Sequence, residues 1–155
     1  MGLRYFNVFG PRQDPEGAYA AVIPKWIAAM IACQEVRING TGDISRDFCH
    51  VKNVVQANLL AATVETKEAL NQAYNIANGH RTTLDALFHL LRDLLSPRHP
   101  RLAGTRPAYG AFRSGDVMHS LADIGKARRL LGYEPTHSIE QGLSEDLGWY
   151  ERNPK

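Results

Sequence analysis

The sequence predicts a mixed fold of helices and short strands, α/β or α+β, on three observations. Short aliphatic and aromatic runs end in turn residues, at 3–9 before Gly10-Pro11 and at 73–77 before Asn78-Gly79. Apolar residues recur at helical spacing from about residue 19 to 32, through Ile23, Trp26, Ile27, Met30 and Ile31. Three later segments open on Ser or Thr with an acid or amide three residues on, the capping-box pattern.

The elements follow in order. Residues 3–9 read as a buried strand, and the polar stretch 11–18 as a loop. Pro24 is tolerable only in the first turn of the helix that follows. Val36, Arg37 and Ile38 alternate as a strand does and run into the turn signal of residues 39–42. Residues 46–51 form a second short extended segment. An alanine- and leucine-rich helix covers 54–64, and 73–77 is another strand. Thr82 with Asp85 opens a helix to about Leu95, and Ser120 with Asp123 one to about Leu131, with Gly132 as its cap and Pro135 beyond. Ser138 with Gln141 opens the last helix, to about Tyr150. Residues 96–116, rich in Pro, Arg and Gly, read as a long loop.

Bulk composition narrows the classes. The 155 residues suit one compact domain, 44% hydrophobic and 22% charged. A net charge of +2 gives no basic excess for nucleic acid. No apolar run approaches the roughly 20 residues that span a bilayer, so no membrane is expected. The start MGLRYFNVFG lacks the charged and small-residue features of a signal peptide, and a cytoplasmic protein is expected. Cys33 and Cys49 stand among apolar residues and read as buried free thiols. The six histidines show no HxxxH or HExxH spacing, so no metal is assigned. Gly40-x-Gly42 is followed by Ser45 where a dinucleotide fingerprint needs glycine, and reads as a hairpin turn. None of the six tyrosines has Lys four residues later.

Five motifs in order, LRYFNVFGPRQDPEGAYAAVIPKWI, INGTG, SRDF, RSGD and HSLADIGKARRLLGYEP, resemble the extended short-chain dehydrogenase/reductase superfamily. Within it the chain most resembles the UDP-N-acetylglucosamine and UDP-hexose 4-epimerases, over residues 3–150. The resemblance implies an α/β fold, the C-terminal substrate-binding portion with only the last strands of the Rossmann sheet. It implies one nucleotide-sugar-binding domain over 1–155. In that family NAD and a catalytic Tyr-x-x-x-Lys belong to a preceding half, so no NAD is expected to bind this chain alone, and the chain alone is expected to be inactive. A homo-oligomer is expected, through the surface that would face that half. Alternatives are a non-catalytic nucleotide-sugar-binding module, a ligand-free self-associating fragment, or a dehydratase or decarboxylase of the same superfamily.

The same resemblance assigns residues. Arg46 and Arg113 match the arginines that clamp the diphosphate of a UDP-sugar, where guanidinium forks suit paired phosphate oxygens. Asp116 matches an aspartate that accepts hydrogen bonds from the ribose hydroxyls. Asn7 matches an asparagine near the phosphates and sugar. Ala21, Val22 and Trp26, at the first helix start, match the uracil pocket, and Asn39 a further uracil contact. Gln13 and Ser120 match positions near the hexose, and Phe6 and Val8 positions beside the nicotinamide. Arg37, Thr41 and Cys33 depart from the family pattern, standing for an aromatic, an aspartate and a glycine.

Overall fold

The computed structural model describes residues 1–16, 21–113 and 115–153. Among the described residues eight short strands and five α-helices follow in order: β1 Gly2–Tyr5, β2 Val8–Phe9, α1 Val22–Ile31, β3 Arg37–Asn39, β4 Ser45–Arg46, β5 Cys49–His50, α2 Val51–Thr63, β6 Ala73–Ile76, β7 Thr82–Thr83, α3 Leu84–Leu95, β8 Ala108–Gly110, α4 Gly125–Leu131 and α5 Ile139–Arg152. The strands join in four pairs. β1–β6, β2–β5 and β3–β8 are parallel, and β4–β7 is antiparallel. Crossovers through helices between parallel strands make the fold α/β.

Two apolar clusters flank the β2–β5 pair. One gathers Phe9, Ile38 and Phe48 with the inner faces of α1, α3 and α5, including Trp26, Leu91 and Leu143. The other packs Tyr74 and Ile76 of β6 against Val54 and Ala57 of α2 and Ala127 and Leu131 of α4. α3 shows how sequence leads here: Leu87, Leu91 and Leu95 recur every turn and are all fully buried. α5 is fixed at its start by the full capping box of Ser138 and Gln141. Its Tyr150 hydroxyl donates to the Gly10 carbonyl at 2.9 Å.

Several sequence expectations change. The run 3–9 is two strands, because Asn7 turns the chain at φ +35°. Before it, the Phe6 amide donates to Ile76 of β6, and after it the Asn7 carbonyl accepts from Cys49 of β5. Asparagine tolerates this left-handed region better than most residues. The extended segment 46–51 is likewise divided between β4 and β5, and α2 already starts at Val51. The first helix begins at Val22; the residues 19–20 expected in it lie outside the described residues.

Thr83, not Thr82, caps α3, by accepting the Ala86 amide at 3.1 Å. Thr82 is held in β7 opposite Arg46. Ser120 caps no helix. Its amide donates to the Ser45 carbonyl at 3.0 Å, and α4 begins only at Gly125. Gly132 does close that helix, at φ +67°. The loop 96–116 contains strand β8, aligned with β3. The turn at Gly40 and Gly42 makes no hairpin, since β3 and β4 pair with β8 and β7. Cys33 is exposed, whereas Cys49 is buried. Among the described residues no helix is long and apolar enough to cross a membrane.

Candidate functional site

A cavity of about 390 Å³ opens between α1, the ends of β2 and β3, β4 and the segment after β8. Asn7, Ala21, Val22, Trp26, Asn39, Arg46, Arg113 and Asp116 all line it, although they are spread over residues 7 to 116. Val8 lines it too. Phe6 does not, and packs instead against the second apolar cluster. Gln13 and Ser120 are not in its wall. Gln13 lies in a shallow cleft beside Trp149 and Tyr150, and its amide donates to the Val8 carbonyl at 2.8 Å. Ser120 is held against β4, as described. A second cavity of about 420 Å³ lies between the end of α1 and α3, lined by Met30, Val36 and Phe88. Its greater volume does not decide, because none of the motif residues reaches it.

The charged groups are placed by backbone. Arg46 leaves β4, and its Nη1 donates to the carbonyls of Ser45 at 2.9 Å and Val117 at 2.6 Å. Its other N–H groups carry no bond to a described residue, so the guanidinium is held in place with donors to spare. Arg113 and Asp116 stand on one turn, closed by the Asp116 amide donating to the Arg113 carbonyl at 3.2 Å. Lys25 and Arg37 also line the cavity, against the single carboxylate of Asp116. The field inside therefore favours an anion. Trp26, Ile38 and Phe48 are buried beneath the cavity, while Lys25, Arg37, Arg113 and Asp116 stay exposed at its mouth.

Asp47 was not singled out from the sequence, yet it holds this site together. Its side chain is 0% exposed. It accepts the amides of Asn78 at 2.9 Å, Gly79 at 3.0 Å and Ala122 at 3.3 Å. Burial pushes its carboxyl above the ordinary aspartate value, against the opposing pull of those amides. Ser45 completes the clamp: its amide donates to Met118, and its hydroxyl pairs with His119 Nδ1 at 2.9 Å. Three consecutive residues thus grip the segment that follows Arg113 and Asp116. The sequence signal was an acid beside a candidate ligand arginine. Nothing local says that it faces amides far along the chain.

A second buried pair joins His50 Nε2 to Asp146 at 2.9 Å, behind the cavity floor. The ring lies 5.2 Å from Phe9 and 5.0 Å from His137. It ties α5 to β5 and has no face on the cavity. Among the described residues no group of His, Cys, Asp and Glu is placed to hold a metal. The one glycine pair that could suggest a phosphate cradle is filled. A Cβ at Gly42 would lie 3.1 Å from the Asp85 side chain, an acid that repels phosphate. That turn therefore offers no phosphate cradle.

Comparison with known proteins gives one consistent result. The model of the NAD dependent epimerase/dehydratase family matches residues 1–77. A putative UDP-glucose 4-epimerase of Methanocaldococcus jannaschii is 34% identical over 97% of this chain and 45% of that protein. The solved UDP-glucose 4-epimerase of Thermotoga maritima, with UDP-glucose, is 37% identical with a TM-score of 0.84, covering 99% of this chain and 46% of that one. The UDP-N-acetylglucosamine 4-epimerase of Methanobrevibacter ruminantium, in complex with UDP-N-acetylmuramic acid, is 38% identical with a TM-score of 0.85, covering 97% and 46%. This chain thus spans less than half the length of these relatives.

Proposed function

This chain belongs to the NAD dependent epimerase/dehydratase family, and from that premise we propose that its cavity binds the uridine diphosphate part of a nucleotide sugar. The observation that carries the reading is the meeting of Arg46, Arg113 and Asp116 on one cavity, from segments far apart in sequence. Two guanidinium forks answer a diphosphate with about two negative charges, and a carboxylate answers a ribose diol. The apolar wall of Val22, Trp26 and Ile38 answers a flat base.

The chain's part is position. An anchored diphosphate holds the ligand by a remote group and leaves the sugar free to turn, as exchange at a sugar C4 requires. The hydride chemistry of such an exchange is the cofactor's, supplied by NAD when bound to an intact enzyme. This chain offers no Tyr-x-x-x-Lys base for it. Its sequence relatives include epimerases of UDP-glucose and UDP-glucuronate and a decarboxylase of a UDP-linked uronate. The hexose is left open among these.

Calorimetry with UDP tests the reading. Binding is expected, and Arg46→Ala or Arg113→Ala should each weaken it about 10- to 100-fold, the worth of a charge-assisted pair. No heat at millimolar UDP, or unchanged affinity in both variants, refutes it. A turnover assay with added NAD and UDP-sugar should show no epimerisation by the chain alone.

A further inference from the structure

The Gly40-x-Gly42 turn is a seat for side chains. A Cβ at Gly40 would lie 2.3 Å from Phe112 Cε1, 2.6 Å from Cδ1 and 2.7 Å from Cζ. One at Gly42 would lie 3.3 Å from Tyr109 Cε1. Both glycines hold left-handed backbone, at φ +79° and +88°, which also favours glycine there. Two rings, one from β8 and one from the segment after it, thus lie on bare backbone just past β3. The Tyr109 ring is tied further by its hydroxyl, which donates to Asp85 Oδ1 at 2.6 Å. Phe112 has an all-carbon side chain, so packing alone can seat it.

Phe112 directly precedes Arg113, and the bonds that fix this stretch lie at its two ends. At one end the Gly40 amide donates to the Gly110 carbonyl at 2.8 Å. At the other the Val117 carbonyl accepts from Arg46, and the Met118 carbonyl from the Ser45 amide. Between them, among the described residues, the backbone bond of 111–116 is internal, from the Asp116 amide to the Arg113 carbonyl. Arg113 and Asp116 are exposed and make no ion pair with a described residue. Phe112 is 52% exposed and is not in the cavity wall. A stretch held only at its ends samples many backbone states, and a ligand that needs one of them must meet the ordering cost. The ring on Gly40 is a third point of attachment, one residue from the guanidinium.

We infer that Phe112 is a positioning residue for the cavity, its ring on Gly40 holding the turn that carries Arg113 and Asp116 in the binding arrangement. The inference rests on the nucleotide reading of the cavity and adds what keeps its second arginine in place. The effect passes through Arg113 and Asp116, since the ring itself stands outside the wall. Without the ring the turn spends only a fraction of its time with Arg113 at the cavity, and the apparent affinity falls by that fraction. The first glycine of the turn is explained in the same way: a methyl group at residue 40 would take the place of the ring.

Calorimetry with UDP on the full chain is the test. Phe112→Ala should weaken binding roughly 5- to 30-fold, by lowering the share of molecules with the turn in place. Phe112→Leu keeps an apolar contact on Gly40 and should bring the affinity back to within about threefold of the unmodified chain. In an Arg113→Ala background, Phe112→Ala should cost less than about threefold more, because both changes remove one effect. A side chain that merely supported the fold would cost the same in both backgrounds. Unchanged affinity in Phe112→Ala overturns the inference and leaves the nucleotide reading standing. So does a loss as large in the Arg113→Ala background as in the unmodified chain, or a Phe112→Leu variant that binds no better than Phe112→Ala. Failure of the unmodified chain to bind UDP removes the nucleotide reading itself, and the inference falls with it.

Discussion

Replacing Asp47 by Ala tests the claim that one buried carboxylate braces the cavity. The change strands three backbone amides, those of Asn78, Gly79 and Ala122. A buried donor left without an acceptor costs about 1–3 kcal/mol. The sum overshoots, because removing the charge also removes its burial penalty and the loops can relax toward water. A net loss of about 3–5 kcal/mol is expected, in line with other broken buried charged contacts. For a chain of this size that lowers the melting temperature by about 6–20 °C. Asp47→Asn keeps one accepting oxygen and should lose less, about 1–2 kcal/mol. Urea unfolding with an unchanged slope is the assay. A loss under about 1 kcal/mol for Asp47→Ala would refute the bracing role. The folded carboxyl titrates above its unfolded value, so just above the ordinary aspartate range the folded chain holds more protons than the unfolded one. The Asp47 contribution to stability therefore grows as pH falls through that window and shrinks as pH rises. The difference between the unmodified chain and Asp47→Asn should tilt that way, and the opposite tilt contradicts it.

Two further outcomes follow from packing. Gly142→Ala sets a Cβ 2.7 Å from His50 Cδ2 and 3.0 Å from Phe9 Cζ, both fully buried, and should destabilise by about 1–3 kcal/mol despite alanine's better helix propensity; a higher melting temperature would contradict the packing. In native protein a thiol reagent should modify exposed Cys33 rapidly and reach Cys49 only on unfolding, since burial pushes the Cys49 thiol up to about 11; equal rates for the two thiols would show the β5 region to be open.

How much of this was legible in the sequence depends on the distance over which each feature is decided. Arg46, Arg113 and Asp116 could be named because the motifs around them resemble a known family in order, where local chemistry alone reads as a surface ion pair or a turn, and the structure brings them to one cavity. The α5 start was legible because both halves of its capping box lie within four residues. Ser120 carried the same signal and failed, because the Ser45 carbonyl, 75 residues earlier, takes its amide. Thr82 failed by one position for a similar reason: pairing with Arg46 holds it in a strand. Strand β8 was missed because Ala108-Tyr109-Gly110 has no alternation of its own; its backbone is ordered by β3, about 70 residues away. Gln13 has the right chemistry for a sugar, but its amide is taken by its neighbour Val8.

The cavity has no local version. Its walls come from stretches around residues 7–9, 21–26, 37–48, 84 and 113–116, and no one of them encloses anything alone. A peptide cut from any stretch would carry the motif and lose the affinity. A molecule that enters the cavity therefore opposes the global unfolding reaction, adding about 2.7 kcal/mol at a hundredfold excess over its dissociation constant. Protection from proteolysis should then rise at cleavage points remote from the ligand as much as beside it, which makes resistance to digestion a way to screen for occupants without knowing their chemistry.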